Sequence, residues 1–496
     1  MLIDLIRPKA TIKNLNKVEL RNLASKDEIT TEFGSASYIT HIRSRSAKFT
    51  EVIFDVPTPQ QNEIIKRVLE YIARKTMIMI ERTMCQSDKI QLLCRFFVTK
   101  DFARNAYMWH QMLFEPVQKP KPDLTVVSIP EWPERKILVL LKENLTIILG
   151  TDYTGEVKKA FLRMAMYTVK KIGWLGLHAG SKIIKVKDKT QKLVQKGILL
   201  FGLSGTGKTT LTCHHHFLTD EEGVIIKQDD VVFLLPDGSA IGTEKNFYAK
   251  TEGLSTRSDP LLYRAATSHN AILENVFVEE NGTVDFQNCL LTSNGRALVM
   301  RNELQYTDDD INLPYVNIII FICRRNDIMP PVIKLTAEQG AAFFMLGESV
   351  ETSAGDPTQA GKSKRVVGTN PLIIGPEVEE GNHFYEILKS HPDMESYVIN
   401  TGRVGGESGE KITVQESVEI ITQIAKGTIT WQVDPDWNYL IPFQIPKIDL
   451  KLYNPLNYYS LEEYQERVNL LKKERKDWLS KYSGLSREVV ESLNLS

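Results

Sequence analysis

The strongest chemistry in this 496-residue chain lies in nine consecutive residues: Gly202, Leu203, Ser204, Gly205, Thr206, Gly207, Lys208, Thr209 and Thr210. They fit G-x-x-x-x-G-K-[ST] and follow an apolar run at 198–201. Such glycines let backbone N–H groups close round phosphate oxygens, and a helix beginning at Lys208 turns its positive end on them. Lys208 then reaches the β- and γ-phosphates, and the Thr209 hydroxyl ligates a metal. Asp229 and Asp230 follow the strand-like run 224–226, Asp229 lying 21 residues beyond Lys208 (229 minus 208). A carboxylate at a strand tip beside a phosphate loop is where a Mg²⁺ or Mn²⁺ ligand belongs. These two motifs alone predict phosphoryl transfer and go no further.

The elements that must position these residues read as mixed α/β. Strand-like runs at 198–201, 224–226, 231–234 and 315–323 alternate with turns and helical patterns. Upstream, a helix is predicted over 156–171, just after Tyr153, and helical spacing covers 59–83. Within 89–116 a strand, KIQLLCRFFVT, precedes a helix, DFARNAYMWHQMLF. Residues 347–370 are rich in Gly, Ser, Thr and Lys, the composition of an exposed loop or of a lid over the site. The helical pattern at 461–481 reads as a solvated terminal element. His214-His215-His216 reads as surface and not as a metal site.

Composition narrows the class. Lys plus Arg total 61 and Asp plus Glu 62, a net charge of -1. That balance opposes non-specific binding to nucleic acid or to an anionic membrane. The five cysteines form no CxxC pair. They predict neither a disulfide framework nor a zinc knuckle, and a reducing, cytoplasmic setting is expected. The opening residues lack the apolar h-region of a signal peptide.

Four segments in order, 202–210, Gln228-Asp229-Asp230, Asn246-Phe247-Tyr248-Ala249-Lys250 and Leu273-Glu274-Asn275-Val276, resemble the ATP-dependent phosphoenolpyruvate carboxykinase family. Upstream, Tyr153-Thr154-Gly155-Glu156-Val157-Lys158-Lys159 is similar to that family's Y-G-x-E-M-K-K segment. Leu177-His178-Ala179 stands where the family has M-H-C-S-A-N. Downstream, Thr292-Ser293-Asn294-Gly295-Arg296 is similar to T-E-N-T-R. Asn400-Thr401-Gly402, then Gly409-Glu410-Lys411-Ile412, is similar to N-T-G and G-K-R-I.

The resemblance implies a two-domain α/β fold of the phosphoenolpyruvate carboxykinase type. Residues 1–173 would form an N-terminal substrate-binding domain, and 174–496 a C-terminal phosphate-loop domain for nucleotide and metal. It implies a carboxy-lyase that turns oxaloacetate and ATP into phosphoenolpyruvate, CO₂ and ADP. ATP with Mn²⁺ and/or Mg²⁺ is the implied cofactor set. Lys159, His178, Asp230 and Thr209 would hold the metal, Lys159 as a neutral amine, and Asp229 would orient metal-bound water. Lys208 and Arg296 would face the transferred phosphate. Arg45, Tyr153 and Lys159 would hold the acid. Lys250, Glu274, Arg296, Lys411, Ile412 and Ser417 would join 202–210 around the nucleotide. The implied partners are small molecules only, with no nucleic acid or membrane, and a monomer is favoured.

Departures fall around the acid and, at Lys411, around the adenine. The family's T-G-R-S-P-K reads Ser44-Arg45-Ser46-Ala47-Lys48 here, and the arginine of G-K-R-I is Lys411. Two other readings stay open: an ATP-dependent kinase of another small acid or hydroxyl on the same fold, and a non-catalytic nucleotide-binding regulator. The joint retention of Arg45, Tyr153, Lys159 and His178 favours the decarboxylating enzyme.

Overall fold

The computed structural model describes residues 2–43, 47–203, 205–350 and 363–495. The chain forms two compact units. The first comprises Met1–Thr168 and Thr243–Gln305, the second Val169–Gly242 and Tyr306–Ser496. This division differs from a single cut at 173/174, because 243–305 returns to the N-terminal unit.

The first unit is built on a seven-stranded mixed sheet. Its strand order is Ala10–Lys13, Thr76–Met84, Leu92–Thr99, Leu124–Ile129, Leu145–Leu149, Lys136–Leu140, Thr50–Ile53. The helix Pro59–Ile72 packs Ile65, Val68 and Ile72 on it. Thr58 starts that helix with a capping box to Gln61, and Pro59 fits its first turn. The helical spacing read through 59–83 is thus corrected: the helix stops at Ile72, and Thr76–Met84 is a strand. Methionine and isoleucine suit either state, and burial within the sheet decides it, since Met77 to Ile80 are buried on consecutive positions between two neighbouring strands. A second sheet in this unit runs Phe247–Lys250, Arg296–Val299, Ile272–Glu274, Ala36–Tyr38, Glu28–Thr30.

The second unit centres on an eight-stranded sheet, ordered Gly223–Gln228, Ala179–Lys187, Leu193–Gly202, Ile318–Cys323, Glu395–Asn400, Val332–Leu335, Leu440–Gln444, Thr430–Val433. Leu193–Gly202, Ile318–Cys323 and Glu395–Asn400 run parallel. Alternate residues feed two cores. Leu199, Phe201, Ile319 and Phe321 pack with Phe343, Phe344 and Phe384 from the helices Ala337–Leu346 and Glu377–Ser390. Ile198, Leu200, Ile318 and Ile320 pack with Leu211, Val418 and Ile421 from Lys208–Cys213 and Val414–Lys426. A sheet covered on both faces reads as continuous apolar runs, which is why IIIFIC has no polar alternation.

The C-terminal helix Leu461–Leu479 is not the solvated element its charge predicts. Val468, Leu471, Arg475 and Leu479 are buried, and Arg475 binds Glu348 through Nη2–Oε1 at 2.5 Å. Of the 347–370 segment, Glu348–Val350 pairs with Ser363–Arg365; residues 351–362, where the lid reading falls, lie outside the described residues. No helix among the described residues is long and apolar enough to cross a membrane.

Candidate active site

Strand pairing in the second unit gathers distant residues at one sheet end. Ala179 pairs antiparallel with Phe201, and Ser181 with Gln228. His178, Gly202 and Asp229 therefore share an edge. In the parallel strands Gly202 pairs with Ile322, and Cys323 with Asn400, so Arg324 and Thr401 join that edge. Carboxyl ends of parallel strands are where open α/β sheets take ligands.

The glycine loop is shaped by its own geometry. Gly205 (φ 85°) and Gly207 (φ 98°) lie in the left-handed region that glycine enters without strain. The Thr206 amide and hydroxyl both donate to the Leu203 carbonyl, at 3.2 and 2.8 Å. A Cβ on Gly202 would stand 2.5 Å from Thr206 Oγ1, so only glycine permits this fold-back. Two neighbours brace the loop: Thr401 Oγ1 donates to the Thr206 carbonyl at 2.8 Å, and Arg324 Nη1 to the Gly205 carbonyl at 2.9 Å. Lys208 opens the helix Lys208–Cys213, with Thr209 and Thr210 half-buried beside it. Ser204 lies outside the described residues.

Three predicted residues meet here. His178 Nε2 lies 3.0 Å from Asp230 Oδ1 and 3.3 Å from Lys208 Nζ, and Lys208 Nζ lies 3.6 Å from the same oxygen. His178 Nδ1 is 2.8 Å from the Thr369 carbonyl, which can only accept. This assigns the proton to Nδ1 and a lone pair to Nε2. Burial, and then the Lys208 ammonium, hold the imidazole below its ordinary pKa and so neutral. An imidazole lone pair and a carboxylate oxygen thus converge, the donor set that a divalent cation takes. The residues present fit such an ion. Asp229 is buried next to Asp230. Among the described residues no three His, Cys, Asp or Glu side chains group as a metal site.

The first unit gathers a second set. Lys250 and Glu274 both pair across strands with Arg296. Arg296 Nε donates to Tyr153 Oη at 3.2 Å and Nη2 to Asn294 Oδ1 at 3.0 Å, and its guanidinium lies 5.6 Å from the Tyr248 ring. Lys159 Nζ is 5.9 Å from the Tyr153 ring centre and 3.7 Å from Glu156 Oε1. Gly155 is required here: a Cβ would meet the Tyr153 ring at 2.5 Å. Glu274 is fully buried, accepting from the Thr154 amide at 2.9 Å and from the Tyr248 hydroxyl. Burial raises its pKa against those two donors. Lys250 forms an ion pair with Glu252. Arg45 lies outside the described residues, though Asp152 anchors the amides of His41 and Ile42 just before it, at 2.8 and 2.9 Å.

The three remaining predicted residues lie apart from the loop in sequence. Lys411 is exposed on a short strand paired with Arg403–Val404. Ile412 packs with Val404 and Tyr453. Ser417 Oγ donates to the Thr413 carbonyl at 2.9 Å inside its helix.

Sequence reasoning gave no site role to Arg324, Thr369 or Thr401, although Thr401 stands in the matched N-T-G segment and Thr369 within 347–370. A signal existed for two of them, since each follows directly on a run that ends a parallel strand. The surface reading of the histidine run is corrected at His216, which is 5% exposed. Thr422 Oγ1 donates to the Val418 carbonyl (2.9 Å) and so accepts from His216 Nδ1 (3.0 Å). That leaves His216 Nε2 to accept from buried Lys182 at 2.6 Å.

Fold and site together define a mixed α/β protein with a glycine loop between a central strand and a helix, flanked by a lysine, a histidine and an aspartate. Residues 11–451 match the sequence profile of the family described as Phosphoenolpyruvate carboxykinase, and the chain belongs to that family. One relative, Phosphoenolpyruvate carboxykinase (ATP) of Aeropyrum pernix, is 34% identical over 423 residues, covering 84% of this chain and 83% of that protein. Another of the same name, from Staphylococcus aureus, is 27% identical over 431 residues, covering 81% of this chain and 76% of its own length.

Proposed function

We propose that this chain is an ATP-dependent phosphoenolpyruvate carboxykinase, converting oxaloacetate and ATP into phosphoenolpyruvate, CO₂ and ADP. The observation that carries the reading is the meeting of the glycine loop, Lys208, His178 and Asp230 at one sheet end, in a chain matched to the family over 11–451. The C–C bond to the departing carboxylate breaks, and its electron pair becomes an enolate. The enolate oxygen then takes the γ-phosphoryl group, and ADP leaves.

The chain's own residues divide this work. Backbone N–H groups of 202–210 cradle the phosphates, and Lys208 draws charge off the group in transfer. Arg296, held by Tyr153 and Asn294, meets the same charge with a fork of donors. Tyr153 flanks the acid, and Arg45 grips its carboxylate through both oxygens. His178 and Asp230, with Lys159 as a neutral amine and Thr209, would hold a divalent cation, Mn²⁺ or Mg²⁺. When bound, that cation supplies positive charge for the enolate and phosphate oxygens. Asp229, buried next to Asp230, would support these ligands from behind. Lys250, Lys411, Ile412 and Ser417 border the nucleotide, and Glu274 acts by fixing Thr154 and Tyr248.

Lys250, Glu274 and Arg296 all belong to the segment 243–305 that returns to the first unit. The five cysteines are free thiols, and the reading adopted is of a monomer in a reducing cytoplasm. The test is turnover with oxaloacetate, ATP and Mn²⁺. Equal yields of phosphoenolpyruvate, ADP and CO₂ are expected. ADP release that ignores oxaloacetate would refute the reading.

A further inference from the structure

The strand Ala179–Lys187 and the helix Lys208–Cys213 meet twice, once at the candidate site and once away from it. His178 directly precedes the strand and Lys208 opens the helix, and their side chains stand 3.3 Å apart. Next along the strand comes the closest approach, at Gly180, where a Cβ would lie 2.2 Å from Thr212 Oγ1. That Thr212 hydroxyl donates back to the Lys208 carbonyl at 2.8 Å. Two residues beyond Gly180, Lys182 closes the far end. Its side chain is fully buried, and Nζ donates to the Leu211 carbonyl at 2.5 Å and to His216 Nε2 at 2.6 Å.

Both acceptors need that donor. The helix has six residues, so Leu211 is among the last four, whose carbonyls find no amide partner within it. A lysine amine supplies the missing hydrogen bond at the negative end of the helix dipole. His216 donates through Nδ1 to Thr422 Oγ1 at 3.0 Å, and Thr422 passes its own hydrogen to the Val418 carbonyl at 2.9 Å. The amine therefore ties three elements together: its own strand, the helix behind the glycine loop and, through His216, the helix Val414–Lys426. His216 takes up this position with φ 61°, a backbone conformation rare outside glycine. Burying an amine is costly, and an apolar chain of similar length would fill the space without that cost. A helix this short is marginal by itself, so its direction is set by what holds its two ends.

We propose that Lys182 is a positioning residue for phosphoryl transfer: it clamps the last turn of the helix Lys208–Cys213 to the strand that follows His178, and so fixes where Lys208 meets the nucleotide phosphates. The proposal rests on the reading of 202–210 as the phosphate loop. Lys182 acts through Lys208 and touches no substrate itself. The clamp is at one end of the strand–helix pair and the Lys208–His178 contact at the other, so release of the first lets the second drift.

The experiment compares wild type with Lys182→Met, which keeps the length of the side chain and removes the amine. Calorimetric titration with ATP and Mg²⁺ reads affinity, turnover with oxaloacetate reads kcat and both KM values, and thermal unfolding reports the fold. ATP affinity and kcat are each expected to fall tenfold or more, with KM for oxaloacetate within twofold of wild type. A folded Lys182→Met protein whose ATP affinity and kcat both stay within twofold overturns the proposal. So does a KM for oxaloacetate that rises as much as ATP affinity falls, because general loosening of the fold would move both. If Lys182→Met does not fold, Lys182→Gln, which keeps a donor but is too short to span both acceptors, decides by the same thresholds. A wild type that binds ATP but does not turn over oxaloacetate removes only the carboxykinase reading, and the ATP titrations still decide. A wild type that binds no ATP removes the phosphate-loop reading and the clamp's role with it.

Discussion

Replacing Thr401 by valine isolates the brace on the glycine loop. Valine keeps the β-branched shape and removes one hydroxyl. That hydroxyl has a single hydrogen, and its short partner is the Thr206 carbonyl at 2.8 Å. The Cys323 carbonyl, 3.2 Å away, keeps its own partner, the Thr401 amide at 2.9 Å. Only Thr206 is orphaned. Because Thr206 is 2% exposed, water cannot easily replace the lost donor. The cost is thus that of a buried unsatisfied carbonyl, about 1–3 kcal/mol, rather than the roughly 0.5–1.5 of an average hydrogen bond. If the loop opens to relieve it, nucleotide binding must reverse the opening, and affinity falls about 5- to 150-fold. Calorimetric titration with ATP reads the affinity, and thermal unfolding reports whether the fold is kept. Thr401→Ser, which restores the hydroxyl, should recover most of the loss. A folded Thr401→Val protein binding ATP within twofold of wild type would refute the reasoning.

Three further outcomes follow from the geometry. Burial pushes the Lys182 ammonium down to about 7. The unfolded chain then binds the extra proton between pH 7 and about 10.5, so this residue's contribution to stability rises with pH across that window, by about 2–3 kcal/mol from pH 7 to 9. Urea unfolding of wild type against Lys182→Met should show that gap opening; a gap independent of pH contradicts it. Glu348 is fully buried between Arg475 and Arg365 (2.5 and 2.6 Å), whose charges outweigh burial and hold its carboxyl well below the ordinary range. Glu348→Gln should cost about 3–5 kcal/mol at pH 7. Wild type's advantage should shrink below pH about 4.5, where the unfolded glutamate takes up a proton, and a constant advantage down to pH 3 argues against the ion triad. His178→Ala and Lys159→Ala should each weaken Mn²⁺ binding, read by electron paramagnetic resonance, with less than additive effects because one ion is shared. Unchanged affinity in both removes them as ligands.

What was legible in the sequence was whatever physics is local. The glycine loop from 202 to 210 needs its residues consecutive, because backbone amides and one helix start must surround one phosphate. The helix Thr154–Lys170 and the strands flanking the loop declare themselves through periodicity and apolar runs. Local pattern failed where two states share a composition. Thr76–Met84 reads as more helix until both its neighbours in the sheet bury it. The histidine run reads as surface until Lys182 and Thr422 close on His216.

Tertiary structure alone decided which distant residues meet. Strand register carries His178 and Asp230 to Lys208, and Thr401 to the loop, across sequence gaps of 22 (230 minus 208) to 195 residues. No local propensity encodes such a register. The return of 243–305 to the first unit likewise sets Arg296 against Tyr153, 143 residues apart in the chain.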